Sequence, residues 1–161
     1  MKKYKTGMYG GKFMPFHRGH LHCLQVAATE CDTVYFILFY GGNQEEDILV
    51  NDKRTFLTVK YRKEKVIEVA SQFDNVIPIF IDVSNCRYED GTEDWDAETP
   101  LVLMAAGHLD AVYGSEPSYA AYFERAYPGA VYRCLDPERK EYNISATMIR
   151  NDENKYKEWI V

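Results

Sequence analysis

The residues with the clearest chemical potential lie in one turn near the start of the chain, Gly10-Gly11-Lys12-Phe13-Met14-Pro15-Phe16-His17-Arg18-Gly19-His20. Two of the four histidines in 161 residues stand here, separated by Arg-Gly. At ordinary residue frequencies an H-x-G-H string arises in a chain of this length on the order of one time in a hundred or less. The glycines let the backbone come close to a ligand, and Pro15 stiffens the exit of the turn. A helix beginning near Arg18 points unpaired N–H groups and a positive dipole at whatever lies above it. Two imidazoles converging on such a helix start suit phosphate.

The elements that must position this turn follow from periodicity. Short apolar runs at Tyr4–Tyr9, Thr33–Tyr40, Val76–Asp82, Ala111–Tyr113 and Ala130–Leu135 read as strands. Between them, Gly19–Glu30, Asp52–Phe73, Pro100–Gly107 and Pro117–Tyr127 carry helical spacing, with Asp52 expected to cap its helix and Gly107 to close the next. This alternation predicts a single α/β domain over residues 1–161, a doubly wound, Rossmann-like parallel sheet of five strands with helices on both faces. In such sheets the ligand sits beyond the carboxyl ends of the strands where strand order reverses, which is where the first βα turn falls. Asn85–Glu98, acidic and containing Trp95, is the one long irregular stretch, of the kind that covers either a site or plain surface.

Composition narrows the function classes. A net charge of -6 with no Lys/Arg block argues against binding a nucleic acid polymer, leaving a locally held small anion. Cys23, Cys31, Cys86 and Cys134 form no C-x-x-C pair and read as reduced packing residues. Neither a signal-peptide pattern nor a bilayer-spanning run occurs, so a cytoplasmic protein without membrane partners is expected, and a homo-oligomer is compatible with the composition.

The turn resembles the G-x-F-x-x-x-H-x-G-H signature of the HxGH nucleotidylyltransferase superfamily, with Gly11, Phe13, His17, Gly19 and His20 at the matching places. A second signature of that superfamily, I-S-x-T-x-I-R, is matched by Ile144-Ser145-Ala146-Thr147-Met148-Ile149-Arg150. The runs Tyr113–Pro117, Leu135–Arg139 and Lys155–Ile160 resemble the adenylyltransferase domain of NadR-type nicotinamide mononucleotide (NMN) adenylyltransferases. Trp95-Asp96 sits where that group carries a tryptophan near its nicotinamide site, whereas Lys65 and Glu98 stand where it has further tryptophans. No Walker-type G-x-x-x-x-G-K-[ST] occurs, so the kinase domain of some NadR proteins is not expected here.

The resemblance implies transfer of AMP from ATP to NMN, forming NAD and pyrophosphate by in-line displacement at the α-phosphorus. His17, His20 and Arg150 would be the catalytic clamp, with His20 closest to the α-phosphate. Gly11, Lys12, Phe13, Gly19, Ser115, Glu116, Ser145 and Thr147 would hold the nucleotide and its phosphates, Ser145 as an N-cap whose helix start forms a second cradle. Trp95 and Arg62 would meet the acceptor, Trp95 by stacking on a flat cationic ring. Mg²⁺ is expected to travel with ATP, so no residue is assigned to a metal. Two alternatives stay open: another phosphorylated acceptor or CTP on the same machinery, and a silent adenylate-binding regulator on the same fold.

Overall fold

Met8 and Tyr9 are neighbours in sequence but belong to two different cores. Successive side chains of a strand point to opposite faces, and a parallel sheet covered on both faces must bury both sets. The computed structural model, which describes residues 2–161, shows this along the whole sheet: Phe36 and Leu38 lie with Tyr9 on one side, Ile37 with Met8 on the other.

The strands are β1 (Tyr4–Gly11), β2 (Cys31–Tyr40), β3 (Val76–Asp82), β4 (Ala111–Gly114) and β5 (Val131–Cys134). All four pairings are parallel and the order is β3-β2-β1-β4-β5, so strand order reverses between β1 and β4. Helices α1 (Arg18–Glu30) and α3 (Val59–Ala70) cover one face through Leu24, Ala27, Val66 and Val69. Helix α4 (Trp95–Ala106) covers the other through Val102 and Ala106, joined by Phe123 of α5 (Ala120–Ala126). Two short helices, α6 (Ala146–Asn151) and α7 (Glu153–Tyr156), precede a final 3₁₀ turn at Lys157–Trp159. The doubly wound five-stranded sheet expected from the sequence is therefore present. Cys23, Cys31 and Cys86 are buried free thiols, and no helix among the described residues is long and apolar enough to cross a membrane.

Two helices differ from the periodicity. The run Asp52–Phe73 is not one helix capped by Asp52. A separate helix, α2 (Asn43–Asn51), ends at Asp52, whose N–H donates to the Ile48 carbonyl and whose carboxylate pairs with Arg54. After a 3₁₀ turn at Thr55–Leu57, α3 begins under its own cap, the Thr58 hydroxyl accepting the Tyr61 N–H. Likewise α4 starts at Trp95, capped by Asp94, so Pro100 lies inside the helix rather than at its first turn. The last four residues of the acidic stretch are thus ordered helix, and this turns Trp95 and Glu98 inward. Gly107 does close α4, with φ +74°.

Candidate active site

The carboxyl ends of β1 and β4 open into a cavity of about 680 Å³. Its floor is the Gly10–Met14 turn with His17, Gly19 and His20; α4 supplies Trp95 and Glu98, and Arg150 closes one side. That volume is ordinary for a small-molecule site at the switch point of an α/β sheet.

His17 is the N-cap of α1. Its Nδ1 accepts the backbone N–H groups of Gly19 (3.1 Å) and His20 (3.4 Å), while His20 Nδ1 accepts the backbone N–H of His17 (3.1 Å). This is a capping box built from two imidazoles, stacked with centroids 3.6 Å apart. A nitrogen that accepts an N–H carries no proton, so the geometry assigns both neutral rings as Nε2–H tautomers. Burial lowers the pKa of His17 to about 3, helped by the charge of Arg139. Burial also drives His20 well below its usual value, helped by His17 and Arg139. The two rings are therefore neutral donors at physiological pH. In contrast to the expectation from the sequence, the first turn of α1 does not offer all its N–H groups directly. Two of them are spent on His17, whose ring passes the polarity of the helix start to its own Nε2–H.

Neighbouring residues fix this arrangement. Phe13, held at φ +52°, sets its ring edge-on to His20 at 5.0 Å and against Phe16 and Phe36. A Cβ on Gly19 would come within 3.0–3.1 Å of His17 Cε1 and Nδ1, and one on Gly11 within 2.9 Å of the Phe13 ring. Gly19 is thus needed for the close approach of the His17 ring.

The other expected residues divide into two groups. Lys12, Ser115, Glu116, Trp95 and Arg150 all line the cavity. The Lys12 ammonium lies 2.8 Å from Glu93 Oε1 and donates to Gln44 Oε1 at 2.8 Å. Ser115 Oγ is 3.4 Å from Cys23 Sγ, and the Glu116 side chain caps the turn at Ser118. Trp95 packs edge-on to Tyr119 and Tyr122 at 4.9 and 5.1 Å. Arg150 donates Nη1 to the Met14 carbonyl and Nη2 to Thr147 Oγ1, which joins the second signature to the first turn.

Three expected ligand residues lie off the cavity wall. Ser145 caps α6 by accepting the Met148 N–H, and Thr147 Oγ1 accepts from Arg150. Arg62 is 1% exposed beneath the floor. It pairs with buried Glu45 and donates to the carbonyls of Leu57 (2.9 Å) and Lys12 (3.0 Å). Since Glu45 in turn accepts the Gly41 N–H, the pair ties the turn after β1 to the turn after β2. In this structure Arg62 acts as a brace.

Sequence reasoning missed two wall residues as site residues. Arg139 (φ +52°) donates to the Ile144 carbonyl and faces both histidines. Its loop folds around the Asp136 carboxylate, which accepts the N–H groups of Lys140, Glu141 and Tyr142. The other is Glu98, only 8% exposed, with Oε2 buried and unpartnered. Burial raises its pKa to about 7, with Glu93 adding to the rise and Lys12 opposing it.

Fold and site together define a nucleotidyltransferase-like domain, and the chain belongs to the Cytidylyltransferase-like family, which it matches over residues 8–152. It is similar to the Trifunctional NAD biosynthesis/regulator protein NadR of Salmonella typhimurium, at 25% identity over 96% of this chain. The protein of the same name from Escherichia coli is 24% identical over 99% of it. The chain spans 38% and 39% of the length of those two relatives. Among solved structures, a NadR protein in complex with NAD and AMP-PNP superposes with a TM-score of 0.67 at 20% identity, covering 99% of this chain and 46% of that one. A bifunctional NMN adenylyltransferase/ADP ribose pyrophosphatase from Francisella tularensis gives 0.66 at 21% identity, covering 98% and 45%. At these identities the structural likeness is one of fold.

Proposed function

We propose that this domain transfers the AMP moiety of MgATP to NMN, forming NAD and releasing pyrophosphate. The observation that carries this reading is the convergence of two neutral Nε2–H donors and Arg150 on the wall of a cavity that also holds an aromatic shelf at Trp95. The similarity to proteins named for NAD biosynthesis and NMN adenylyl transfer supports the choice of acceptor.

In this reading a phosphate oxygen of NMN attacks the α-phosphorus of ATP, and the bond to the bridging oxygen breaks as pyrophosphate leaves. Such a step needs positioning and charge neutralisation rather than a covalent nucleophile. The His17 and His20 N–H groups would meet the α-phosphate, whose equatorial oxygens gain charge in the transition state. Arg150 and Arg139 would supply fixed positive charge, and Lys12 would exchange Glu93 for a phosphate oxygen. Mg²⁺ enters as part of the triphosphate substrate. The pyridinium ring of NMN would lie against Trp95.

Pyrophosphate release with NMN, its deamidated analogue, phosphopantetheine, flavin mononucleotide and glycerol phosphate, each with ATP and with CTP, tests the reading. NAD formation from ATP and NMN is the expected result. Release with another pair, and none with ATP and NMN, would overturn the substrate assignment while keeping the reaction class. No release with any pair would favour the silent regulator.

A further inference from the structure

Glu98 is a buried carboxyl in a cavity wall of mixed aromatic, aliphatic and polar side chains. It shares the wall with Val102, Phe123 and Tyr127, the charged groups that act on it are Glu93, Lys12 and Asp94, and its Oε2 has no hydrogen-bond partner among the described residues. A buried acceptor left unsatisfied costs about 1–3 kcal/mol, and more when charged, so it calls for a reason. Local helix structure does not supply one. The cap of α4 is Asp94, whose carboxylate takes the Ala97 N–H, and the Trp95 carbonyl is served by Tyr122 and Thr99 hydroxyls.

Position supplies a reason. Glu98 follows Trp95 by three residues, so the two side chains share one face of α4, separated by about 4.5 Å of helix rise. A flat ring lying against the indole presents a ring substituent at about that distance towards the next turn. We propose that Glu98 selects the acceptor: its free Oε2 accepts an N–H from the carboxamide of the ring held on Trp95 and excludes the analogue that carries a carboxylate there. This rests on the acceptor reading above. The ionised carboxyl accepts from the amide N–H, and the protonated one can also donate to the amide carbonyl. Towards a carboxylate the ionised form repels, and only the protonated form can donate, so holding that analogue requires Glu98 to take up a proton against the field of Lys12.

The test is kcat/KM for NMN and for its deamidated analogue, with MgATP at pH 7.5, in the wild type and in Glu98→Gln. The wild type should prefer the amide at least tenfold. Glu98→Gln brings an N–H donor to the same place and should shrink that ratio at least tenfold, mainly by improving use of the carboxylate. Equal use of both acceptors by the wild type, or preference for the carboxylate, would overturn the proposal whether or not the variant folds. So would a folded variant whose ratio is unchanged because both acceptors fall alike, since that marks contact with the shared ribose or a structural role. Turnover of neither nucleotide by the wild type would sink the acceptor reading and this inference with it. Turnover with an unaltered ratio sinks this inference alone.

Discussion

His17 and His20 cap each other: the ring of each accepts the backbone N–H of the other, so neither imidazole can rotate without breaking the start of α1. The pair is therefore preorganised before any ligand arrives, with both residues on the cavity wall. His20→Asn keeps a side-chain oxygen for the His17 N–H but loses the aligned donor. We expect kcat to fall at least a hundredfold, the scale seen when one transition-state donor is removed. Affinity for MgATP should stay within about threefold, because that donor gains strength as charge develops on the α-phosphate. Single-turnover rates alongside equilibrium titration of MgATP check this, and near-normal rates would remove His20 from the catalytic clamp.

The same hydrogen bonds make a second prediction, about protonation. Adding a proton to either Nδ1 would set two donors face to face, so charging must occur against both burial and the cap. Nitrogen NMR should show His17 and His20 as neutral Nε2–H tautomers in the free protein at pH 6, where an ordinary histidine is largely charged. Binding MgATP places anionic oxygens beside the rings and should raise both pKa values by about a unit or more. Unchanged imidazole shifts on addition of MgATP would place the triphosphate elsewhere.

Glu98 makes the stability of the free protein depend on pH. Its folded pKa of about 7 lies above the ordinary 4.5, so its favourable share is complete below pH 4.5 and is lost as pH rises through 7. His17 works in the opposite sense: its share is present above pH 6.5 and is lost as pH falls towards 3. Glu98→Gln removes the first dependence only. Between pH 4.5 and 8 the variant should gain about 2–3 kcal/mol on the wild type in urea unfolding, since a tenfold change in proton affinity corresponds to about 1.4 kcal/mol. The groups acting on Glu98 are Glu93, Lys12 and Asp94, so parallel pH curves for the two proteins would assign the dependence to them instead.

Arg62 separates a brace from a binding residue. Removing one member of a buried ion pair leaves an orphan charge, so Arg62→Ala should cost about 3–5 kcal/mol of stability. Replacing both members, as Arg62→Met with Glu45→Leu, should recover much of that, while the Lys12 carbonyl and Gly41 N–H lose their partners. Denaturant unfolding of the three proteins decides. A stable Arg62→Ala with a raised KM for the acceptor would instead restore the binding role.

The contrast between His20 and Arg62 shows what the sequence made legible. The first turn was readable because its chemistry is local: cap, glycine and imidazole lie within four residues, and the strand before and helix after were each marked by periodicity. The sheet was readable for the same reason, through the short apolar runs of β1, β2 and β3. The bracing contacts of Arg62 were not legible because a buried, paired arginine has the same local signature as a ligand-binding one, and its partner Glu45 lies in a helix that the apolar pattern does not announce. That helix, α2, has only Glu45 among its buried residues, so it offers no hydrophobic stripe. Glu98 stood out in the sequence only as a replaced tryptophan, and its place on one face with Trp95 needed the start of α4 at Trp95. Arg139 depends on a left-handed loop around Asp136 that no period encodes.

The tie between Glu45 and Arg62, seventeen positions apart, also constrains how this chain can drift over evolutionary time. A lineage that loses one charge first passes through an ancestor carrying a stranded ion beneath its own active site, so single changes at either position are purged. In an alignment of relatives the two columns should therefore be either invariant or change together, and a chain showing Leu or Met at one of them should be apolar at the other.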